Sequence, residues 1–477
     1  SSMSGSSIGS STTFAQPSGD IAMAAAAWSN WAGNVHYAGR VVAPKTVDEV
    51  VRCVRSADRI QVVGSGHSFI HPAGPPAPLI SSSPTEPHDG LVVLDLTQHM
   101  NRVLSVDEGA WTCCVEGGCS IERIALELEM RGLALENMPS LHVVTFAGAA
   151  LTGTHGCGHR RAVIADMIRS MTVVGGDGQL REVSDRRLFV HLGLLGVVVQ
   201  LMLRCVPFYR VRQRCYDNIP LPAFLERSVE IMQSASHAQF WVDFKHGVDG
   251  RGKVLGWLRE RCGTSEPEAP AEVFPGVGGA LRFDPIPLGE APDWPIHATG
   301  SGPWYDMLAF FRLGATLPIN DSLQTEFFIA LSALPDALRA LSRIPNLEQV
   351  MSHGCEVRPV AADDFALSPC HARFGGHALG GPTFAGLHFT LDVDPSGAKV
   401  SNAVREIELA LRPFGARPHW GKLFTNSVTF LDAVYGPRQH PDCAFFWSTM
   451  LEWDPTGKLR NCWFDDVATK GGAQAKL

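Results

Sequence analysis

Apolar residues in the first half of the chain recur at helical spacing in some segments and at strand spacing in others. Four valines follow Thr46 at helical spacing, and Thr46 with Glu49 forms a capping-box pattern, so we expect a helix over residues 46–58. Ser120 is the expected N-cap of a second, amphipathic helix over residues 120–131. Short apolar runs and one glycine-rich turn predict strands, which we place at 60–63, 91–96, 112–116 and, as a hairpin, within 172–183.

The pattern changes after about residue 210. Strands and helices are again mixed, which favours an α+β fold for this half as well. We expect strands at 239–244, 325–331 and 384–393, and helices at 333–343 and 398–412. Two regions rich in proline break the pattern. Residues 72–87 are expected to form a surface loop, and residues 262–303 a long loop of the kind that serves as a lid or a variable insertion.

Composition limits the classes of function. A chain of 477 residues is long enough for two or three domains, and its 45% hydrophobic and 18% charged content is ordinary for a globular enzyme. The net charge of −8 argues against a nucleic-acid partner. No apolar run is long enough to span a bilayer. The 12 cysteines lack the paired spacing of a zinc site, so we expect no metal and read them as reduced thiols in an intracellular protein.

Three glycine-rich segments indicate binding of a phosphate-bearing cofactor. The first follows the strand at 60–63, and a histidine lies within it; its candidate ligand residues are Gly64, Ser65, Gly66, His67, Ser68 and Phe69. The second, which we expect to be a loop, lies within residues 147–158 and offers two threonine hydroxyls beside its amides; its candidates are Gly148, Thr152, Thr154, His155, Gly156 and Gly158. The third, residues 192–197, ends at Val197 and leads into a strand. Glycines permit close approach of the backbone, and successive amides can bind an anion.

Polar residues that alternate along the expected strands of the second half are candidates for binding a substrate. Glu356 and Arg358 lie on one face of a strand, as do His388 and Thr390. A guanidinium and a carboxylate directed into a cavity can bind several hydroxyl groups. From the residues alone, a surface ion pair is the better reading of Glu356 and Arg358, and a core histidine is an alternative reading of His388.

Four motifs in series resemble those of the vanillyl-alcohol-oxidase superfamily of FAD-dependent flavoproteins. Three of them are Gly64-Ser65-Gly66-His67-Ser68, Thr152-Gly153-Thr154-His155-Gly156 and Leu194-Leu195-Gly196-Val197. The fourth, Arg417-Pro418-His419-Trp420-Gly421-Lys422, is similar to the signature of the aldonolactone and alditol oxidase branch. The resemblance covers nearly the whole chain, from about residue 30 to about residue 464.

The resemblance implies a fold and a domain division. It implies a two-subdomain FAD-binding domain of the PCMH type over residues 25–210. An α+β substrate-binding cap domain would follow over 211–425, and residues 426–477 would return to the FAD-binding domain. Residues 1–24, which are rich in serine and glycine, are expected to be disordered.

The resemblance also assigns roles to residues. FAD would be held by the three glycine-rich segments and attached covalently through His67. Ser140, Glu356, Arg358, His388, Thr390 and Lys422 would bind the substrate, a small polyhydroxy compound. His388, or a water held by Glu356, would take the hydroxyl proton, and Lys422 would stabilise negative charge on the flavin as hydride arrives at N5. Alternative readings from the residues remain a non-covalent flavin, a structural hydrogen bond at His155 and a surface Lys422.

Substrate, electron acceptor and location stay open at this level. The sequence slightly favours an aldono-1,4-lactone oxidase over an alditol oxidase. Dioxygen is the expected acceptor, but Pro139 stands where the family would have glycine or alanine, so a dehydrogenase with another acceptor is an alternative. A flavin-carrying protein without turnover is disfavoured by Glu356, Arg358 and Lys422 together. Ala475-Lys476-Leu477 resembles the signal that the peroxisomal import receptor reads, so we expect a peroxisome or glycosome-like organelle, with the cytoplasm as the alternative.

Overall fold

A computed structural model describes residues 27–69, 90–244, 253–262, 270–284, 298–314, 322–351, 354–375, 383–393, 397–460 and 464. The loop expected at 72–87, the disorder expected before residue 25 and the tail Ala475-Lys476-Leu477 lie outside these residues, and the expectations about them stay predictions. In the described residues, no helix is long and apolar enough to cross a membrane.

The first subdomain is a small parallel sheet. A hairpin of β1 (Ala27–Ser29) and β2 (His36–Ala38) precedes it. Helix α1 (Val47–Ser56) connects the strands, and Thr46 accepts a hydrogen bond from the Glu49 amide as the capping box predicts. Valines 50 and 54 of this helix pack on the sheet. The sheet has the order β3-β5-β4, with β3 at Arg40–Val42, β4 at Arg59–Val63 and β5 at Leu91–Asp95.

The second subdomain is a five-stranded antiparallel sheet in the order β10-β9-β11-β7-β6. Its strands are β6 (Val103–Asp107), β7 (Thr112–Glu116), β9 (Ile168–Val174), β10 (Leu180–Val183) and β11 (Val197–Arg204). Helix α2 (Ile121–Glu129) is capped by Ser120 as expected. Strand β8 (Leu133–Ala134) pairs with β12 (Val206–Pro207), and helix α3 (Phe146–Leu151) leads toward β9.

The second half forms one large antiparallel sheet. Its path is β16-β13-β15-β14-β19-β20-β18-β21, and β17 also pairs with β13. The strands are β13 (Arg210–Pro220), β14 (His237–Val242), β15 (Lys253–Arg261), β16 (Ala280–Leu281), β17 (Gly300–Pro303), β18 (Ser322–Ala330), β19 (Cys355–Ala361), β20 (Thr383–Asp392) and β21 (Arg417–Pro418). Helices α4 (Leu221–Gln233), α5 (Trp304–Leu308), α6 (Leu334–Leu341) and α7 (Ala398–Leu411) accompany it, and α6 packs on both α4 and α7.

The last described segment contacts the first half of the chain. It contains α8 (Val428–Tyr435) and α9 (Pro441–Trp453). The Ile60 amide donates to the Lys458 carbonyl at 2.8 Å, and the Asp177 amide donates to the Trp453 carbonyl at 3.1 Å. The chain therefore returns to both sheets of the N-terminal half after it has formed the large sheet.

Two expectations about loops were wrong. Residues 147–151 of the second glycine-rich segment belong to helix α3, because Thr145 caps this helix by accepting from the Gly148 amide. The described part of 262–303 is not a separate loop, since β16 and β17 both pair with β13. Eleven of the 12 cysteines lie in the described residues, and all eleven are free thiols.

Candidate active site

A cavity of about 430 Å³ lies between the N-terminal subdomains and the large sheet. This volume falls within the range of roughly 300–1,000 Å³ that is usual for small-molecule sites. The three glycine-rich segments, residues 139–155, the 419–422 turn and the large sheet contribute to its wall. The structure thus brings together segments that lie more than 300 residues apart in the sequence.

The first glycine-rich segment follows directly on β4 and is pressed against α3. A Cβ atom on Gly64 would lie 2.6 Å from the Thr145 hydroxyl oxygen, so only glycine allows this approach. Ser65 joins the two segments, because its hydroxyl donates to the Val143 carbonyl and accepts from the Thr145 amide, both at 3.0 Å. All six candidate residues of this segment line the cavity, namely Gly64, Ser65, Gly66, His67, Ser68 and Phe69.

His67 is held against an aromatic ring within this segment. Its imidazole stacks on Trp31 with the ring centroids 5.3 Å apart. Burial, together with the nearby Lys422 cation, lowers the pKa of His67 to about 4. The imidazole is therefore neutral at physiological pH and keeps one nitrogen lone pair free of a proton.

The second and third segments contribute only part of their expected residues. Gly148, Thr152, Thr154 and His155 line the cavity. Gly156, Gly158 and Val197 do not lie on its wall. A Cβ atom on Gly156 would lie 2.0 Å from Asn137 Oδ1, and one on Gly158 would lie 2.8 Å from the Arg161 side chain, so close packing accounts for both glycines. Val197 packs in the core of the first subdomain, while its neighbours Gly196 and Val198 reach the cavity.

Strand pairing in the large sheet aligns two of the substrate-binding candidates, Glu356 and His388, in one row with Trp241 and Glu326. Trp241 on β14 is directly opposite Glu356 on β19, Glu356 is opposite His388 on β20, and His388 is opposite Glu326 on β18. Directly opposed residues share a face of the sheet. All four side chains line the cavity, as do Arg358 and Thr390 on the same strands.

Glu326 is the last member of this row and contacts three polar side chains of the site, although its sequence context did not single it out. It is 1% exposed, and its Oε1 accepts from His155 Nε2 at 2.8 Å and from Arg358 Nη2 at 3.1 Å. Its Oε2 lies 3.4 Å from His388 Nδ1. Burial alone would raise the pKa of this carboxyl, but His155 and the Arg358 guanidinium hold the pKa well below its usual value. Glu326 is therefore a fixed buried anion.

Arg358 is bound by three neighbours. Besides Glu326, its Nη1 donates to the Ser140 hydroxyl at 3.0 Å, and its Nε lies 3.3 Å from Glu356 Oε1. Ser140 in turn accepts the Phe310 amide at its carbonyl oxygen at 3.0 Å. The structure thus places Ser140, Glu356 and Arg358 together, as the sequence motifs suggested, with an aromatic segment beside them.

Lys422 lies at the cavity on the turn that follows β21. Its ammonium donates to Gln324 Oε1 and lies 5.0 Å above the Phe69 ring. Burial lowers the pKa of Lys422 to about 8, although the Glu326 carboxylate acts in the opposite direction. Lys422 is therefore not a solvated surface lysine. The neighbours His419 and Trp420 are buried, and Trp420 Nε1 donates to the Leu367 carbonyl at 2.7 Å.

His155 lies in a different environment from His67. His155 is 1% exposed, its Nε2 donates to Glu326 Oε1 and its Nδ1 lies 2.8 Å from the Gly156 carbonyl oxygen, and its pKa is lowered by burial and by Arg358. This supports the structural reading of His155. Gly386 leaves room for it, since a Cβ atom there would lie 3.0 Å from His155 Cε1 and 3.2 Å from Glu326 Oε1.

Sequence reasoning missed several cavity residues, which are Glu326, Gln324, Trp241, Phe310 and Phe311. A signal existed for the first two, because they alternate along an otherwise apolar strand, as Glu356 and Arg358 do. Trp241 and Phe310 stack with centroids 5.3 Å apart, and Phe311 meets Phe310 edge-on at 5.0 Å. Nothing in the local pattern separates these aromatic residues from core residues.

His371, His440 and Asp442 are close enough to suggest a metal site outside the cavity. Their hydrogen bonds argue against it. His371 Nδ1 accepts the Arg373 amide and His440 Nδ1 accepts the Asp442 amide, so both of these lone pairs already hold a hydrogen bond and are not available to a metal ion. The His371 ring is directed at Asp442 through Nε2, at 3.2 Å. The cluster is better explained as the capping network of two helical turns.

Comparison with known proteins identifies both halves of the chain. A family model described as FAD binding domain matches residues 38–184, and one described as D-arabinono-1,4-lactone oxidase matches residues 320–467. The chain is 33% identical over 448 residues to the alditol oxidase of a Streptomyces species, a match that covers 92% of this chain and 98% of that protein. It is 27% identical to the L-gulono-1,4-lactone dehydrogenase of Mycobacterium tuberculosis, covering 86% of this chain and 92% of that protein.

Solved structures show the same fold at lower identity. Cholesterol oxidase from Brevibacterium sterolicum superimposes with a TM-score of 0.69 at 16% identity, covering 93% of this chain and 96% of that one. The expected PCMH-type FAD-binding fold is thereby confirmed.

The cavity wall fits FAD. Gly64 and Gly148 are pressed so close to the Thr145 hydroxyl that a Cβ atom would lie 2.6 and 2.8 Å from it, which leaves backbone rather than side chain on the wall. The neutral His67 ring and the Lys422 ammonium complete this side of the cavity. The chain belongs to the aldonolactone and alditol oxidase branch of the vanillyl-alcohol-oxidase family of FAD-dependent oxidoreductases.

Proposed function

We propose that this protein is an FAD-dependent oxidase that converts the CH–OH group of an alditol to a carbonyl and passes the electrons to dioxygen. The observation that carries the proposal is the row of polar side chains on one face of the large sheet, with Ser140 and Lys422 beside it. Bound FAD supplies the two-electron acceptor for the hydride. The sequence motifs alone slightly favour a lactone as the substrate. The similarity of nearly the whole chain to an alditol oxidase supports an alditol instead.

Different cavity residues contribute to substrate binding and to proton transfer. Arg358 and Ser140 offer donors and acceptors to the hydroxyl groups of an extended polyol, and Thr390 adds a further hydroxyl. Glu356 and His388 are opposed across β19 and β20, so either of them lies within reach of the same hydroxyl proton. Lys422 provides the positive charge that stabilises an anion at its end of the cavity.

An aldono-1,4-lactone is the second candidate substrate. The family model described as D-arabinono-1,4-lactone oxidase, which matches residues 320–467, favours it. The aromatic group of Trp241, Phe310 and Phe311 offers an apolar surface suited to the C–H face of a ring.

Peroxide formation from matched substrates tests the proposal. Purified protein is incubated with xylitol, sorbitol, galactono-1,4-lactone and arabinono-1,4-lactone while hydrogen peroxide is measured. Turnover of the alditols with little turnover of the lactones is expected, and turnover of the lactones alone would show that the second candidate is correct. An acceptor-dye assay run in parallel separates an oxidase from a dehydrogenase. Substrate that does not bleach the flavin without oxygen would refute both.

We further propose that FAD is attached covalently to His67. The neutral ring at the cavity wall has the free lone pair that a bond to the flavin methyl carbon requires. One C–H bond of that methyl group would break and lose its proton, and the flavin would take up the two electrons and pass them to dioxygen. Acid precipitation should leave the yellow flavin on the protein, and His67→Ala should release it. The control is His99→Ala, since His99 is exposed. A colourless pellet from the parent protein would contradict covalent attachment.

A further inference from the structure

A buried guanidinium lies behind the substrate-binding row. Arg259 on β15 is 1% exposed. Its Nε donates to Gln213 Oε1 at 2.8 Å, and its Nη1 donates to Gln239 Oε1 at 2.8 Å and approaches Cys157 Sγ at 3.5 Å. Within the described residues, none of these hydrogen-bond partners is a carboxylate. Burying a cation among neutral groups costs desolvation free energy, so the burial of Arg259 needs a structural or functional explanation.

Gln239 connects this cation with the site. Its Oε1 accepts from Arg259, and its Nε2 donates to Glu356 Oε1 at 2.6 Å. A guanidinium can only donate and a carboxylate can only accept, so the amide has a single orientation that satisfies both neighbours. The guanidinium and the carboxylate therefore favour the same orientation of the amide from its two ends.

The orientation of Gln239 decides which oxygen of Glu356 is available. Gln239 and Arg358 both approach Oε1, at 2.6 and 3.3 Å. Oε2 remains as the carboxylate oxygen that can accept a hydrogen bond from a substrate hydroxyl. A flipped amide would place its oxygen against Glu356 and repel the carboxylate from this position.

We propose that Arg259 and Gln239 are positioning residues, which fix the Glu356 carboxylate so that Oε2 faces the substrate. The role in catalysis rests on the proposed function, whereas the orientation of the amide does not. Neither residue lines the cavity, so both act through Glu356. The charged and titratable groups that face Glu356 directly are Arg358 on its own strand and His388 on the neighbouring strand.

A double-mutant cycle tests the proposal. Arg259→Met and Gln239→Leu are each expected to lower kcat/KM for the alditol by about 10- to 100-fold, mainly through kcat, because a hydrogen bond to a charged group is lost. Since Arg259 acts through Gln239, the double variant should be no worse than either single variant. Losses that simply multiply would overturn the proposal.

Gln213→Leu is the matched control. It removes a bond of the same length from the other side of the same guanidinium, and it leaves Gln239 and Glu356 in contact. It should lower thermal stability but change kcat/KM less than threefold, given that distant effects are usually small. An equal kinetic loss in Gln213→Leu would show that the network is only structural.

Gln239→Glu covers the case in which Arg259→Met fails to fold. The new carboxylate pairs with Arg259, which favours folding, but it cannot donate to Glu356. It should lower kcat at least as much as Gln239→Leu, and activity equal to the parent would overturn the proposal. If the parent oxidises neither alditols nor lactones, the proposed function fails. The coupling between Arg259→Met and Gln239→Leu in thermal unfolding still tests the amide orientation in that case.

Discussion

Replacing Glu326 by glutamine removes the negative charge at the centre of the site with little change of shape. The carboxylate is 1% exposed and holds His155, Arg358 and His388 at 2.8, 3.1 and 3.4 Å. Glutamine keeps one acceptor oxygen, but its amino group points a donor at side chains that are themselves donors. Arg358 then remains buried with only Glu356 as a charged partner within the site.

The expected loss follows from the energetics of buried ion pairs. Removing one partner of such a pair costs roughly 3–5 kcal/mol, and the oxygen that glutamine retains favours the lower end, about 3 kcal/mol. If the loss falls on the orientation of Arg358 and His388 in the transition state, it lowers kcat/KM by about 150-fold. The measurement is the rate of flavin reduction by substrate without oxygen, followed by stopped-flow absorbance, so the oxygen step does not enter.

Glu408→Gln is the matched control for this variant. Glu408 is also buried and accepts from the Thr425 amide, but it lies outside the cavity wall. The Glu408→Gln protein should have a lower free energy of unfolding than the parent, but its rate of flavin reduction should not fall to a comparable extent. A Glu326→Gln enzyme with normal flavin content and a rate within threefold of the parent would refute the reasoning, because the buried charge would then not matter for the site.

Three further predictions concern packing and titration. Gly386→Ala should lower kcat/KM about tenfold, since its Cβ atom would press on His155 and Glu326, whereas Gly300→Ala, with nothing within 4 Å, should be neutral; steady-state kinetics checks both. Burial raises the pKa of Asp363 to about 7, above its value in the unfolded chain. The unfolding free energy should therefore fall by on the order of 4 kcal/mol as the pH rises from about 4 to 7. Urea titrations of the Asp363→Asn protein should lack this fall. The pKa of Lys422 is lowered to about 8, so in protein without FAD the unfolded state binds more protons than the folded state above that pH. The unfolding free energy should therefore rise between pH 8 and about 10.4. A Lys422→Met protein that shows the same rise would contradict this.

The sequence predicted the secondary structure correctly where a helix cap or an alternation of polar and apolar residues marked the element. The helix capped by Thr46 and the helix capped by Ser120 begin where the pattern predicted, because a cap satisfies amides a few residues away. The alternation around Glu356 and around His388 correctly predicted strands with these residues on one face. The local signal failed at residues 146–151, where small residues typical of a loop form a helix because Thr145 caps it.

The sequence also determined which chemical groups are available, and motif resemblance indicated the cofactor and the branch of the family. The tertiary structure decided which groups meet. Glu326 reaches Arg358 only because β19, β20 and β18 are neighbours in the sheet, and Arg259 reaches Glu356 only through β14. Such contacts join residues far apart in the chain, and their register is fixed by pairing across several strands. No local pattern carries that information, because a strand shows which of its faces is polar but not which strand lies beside it.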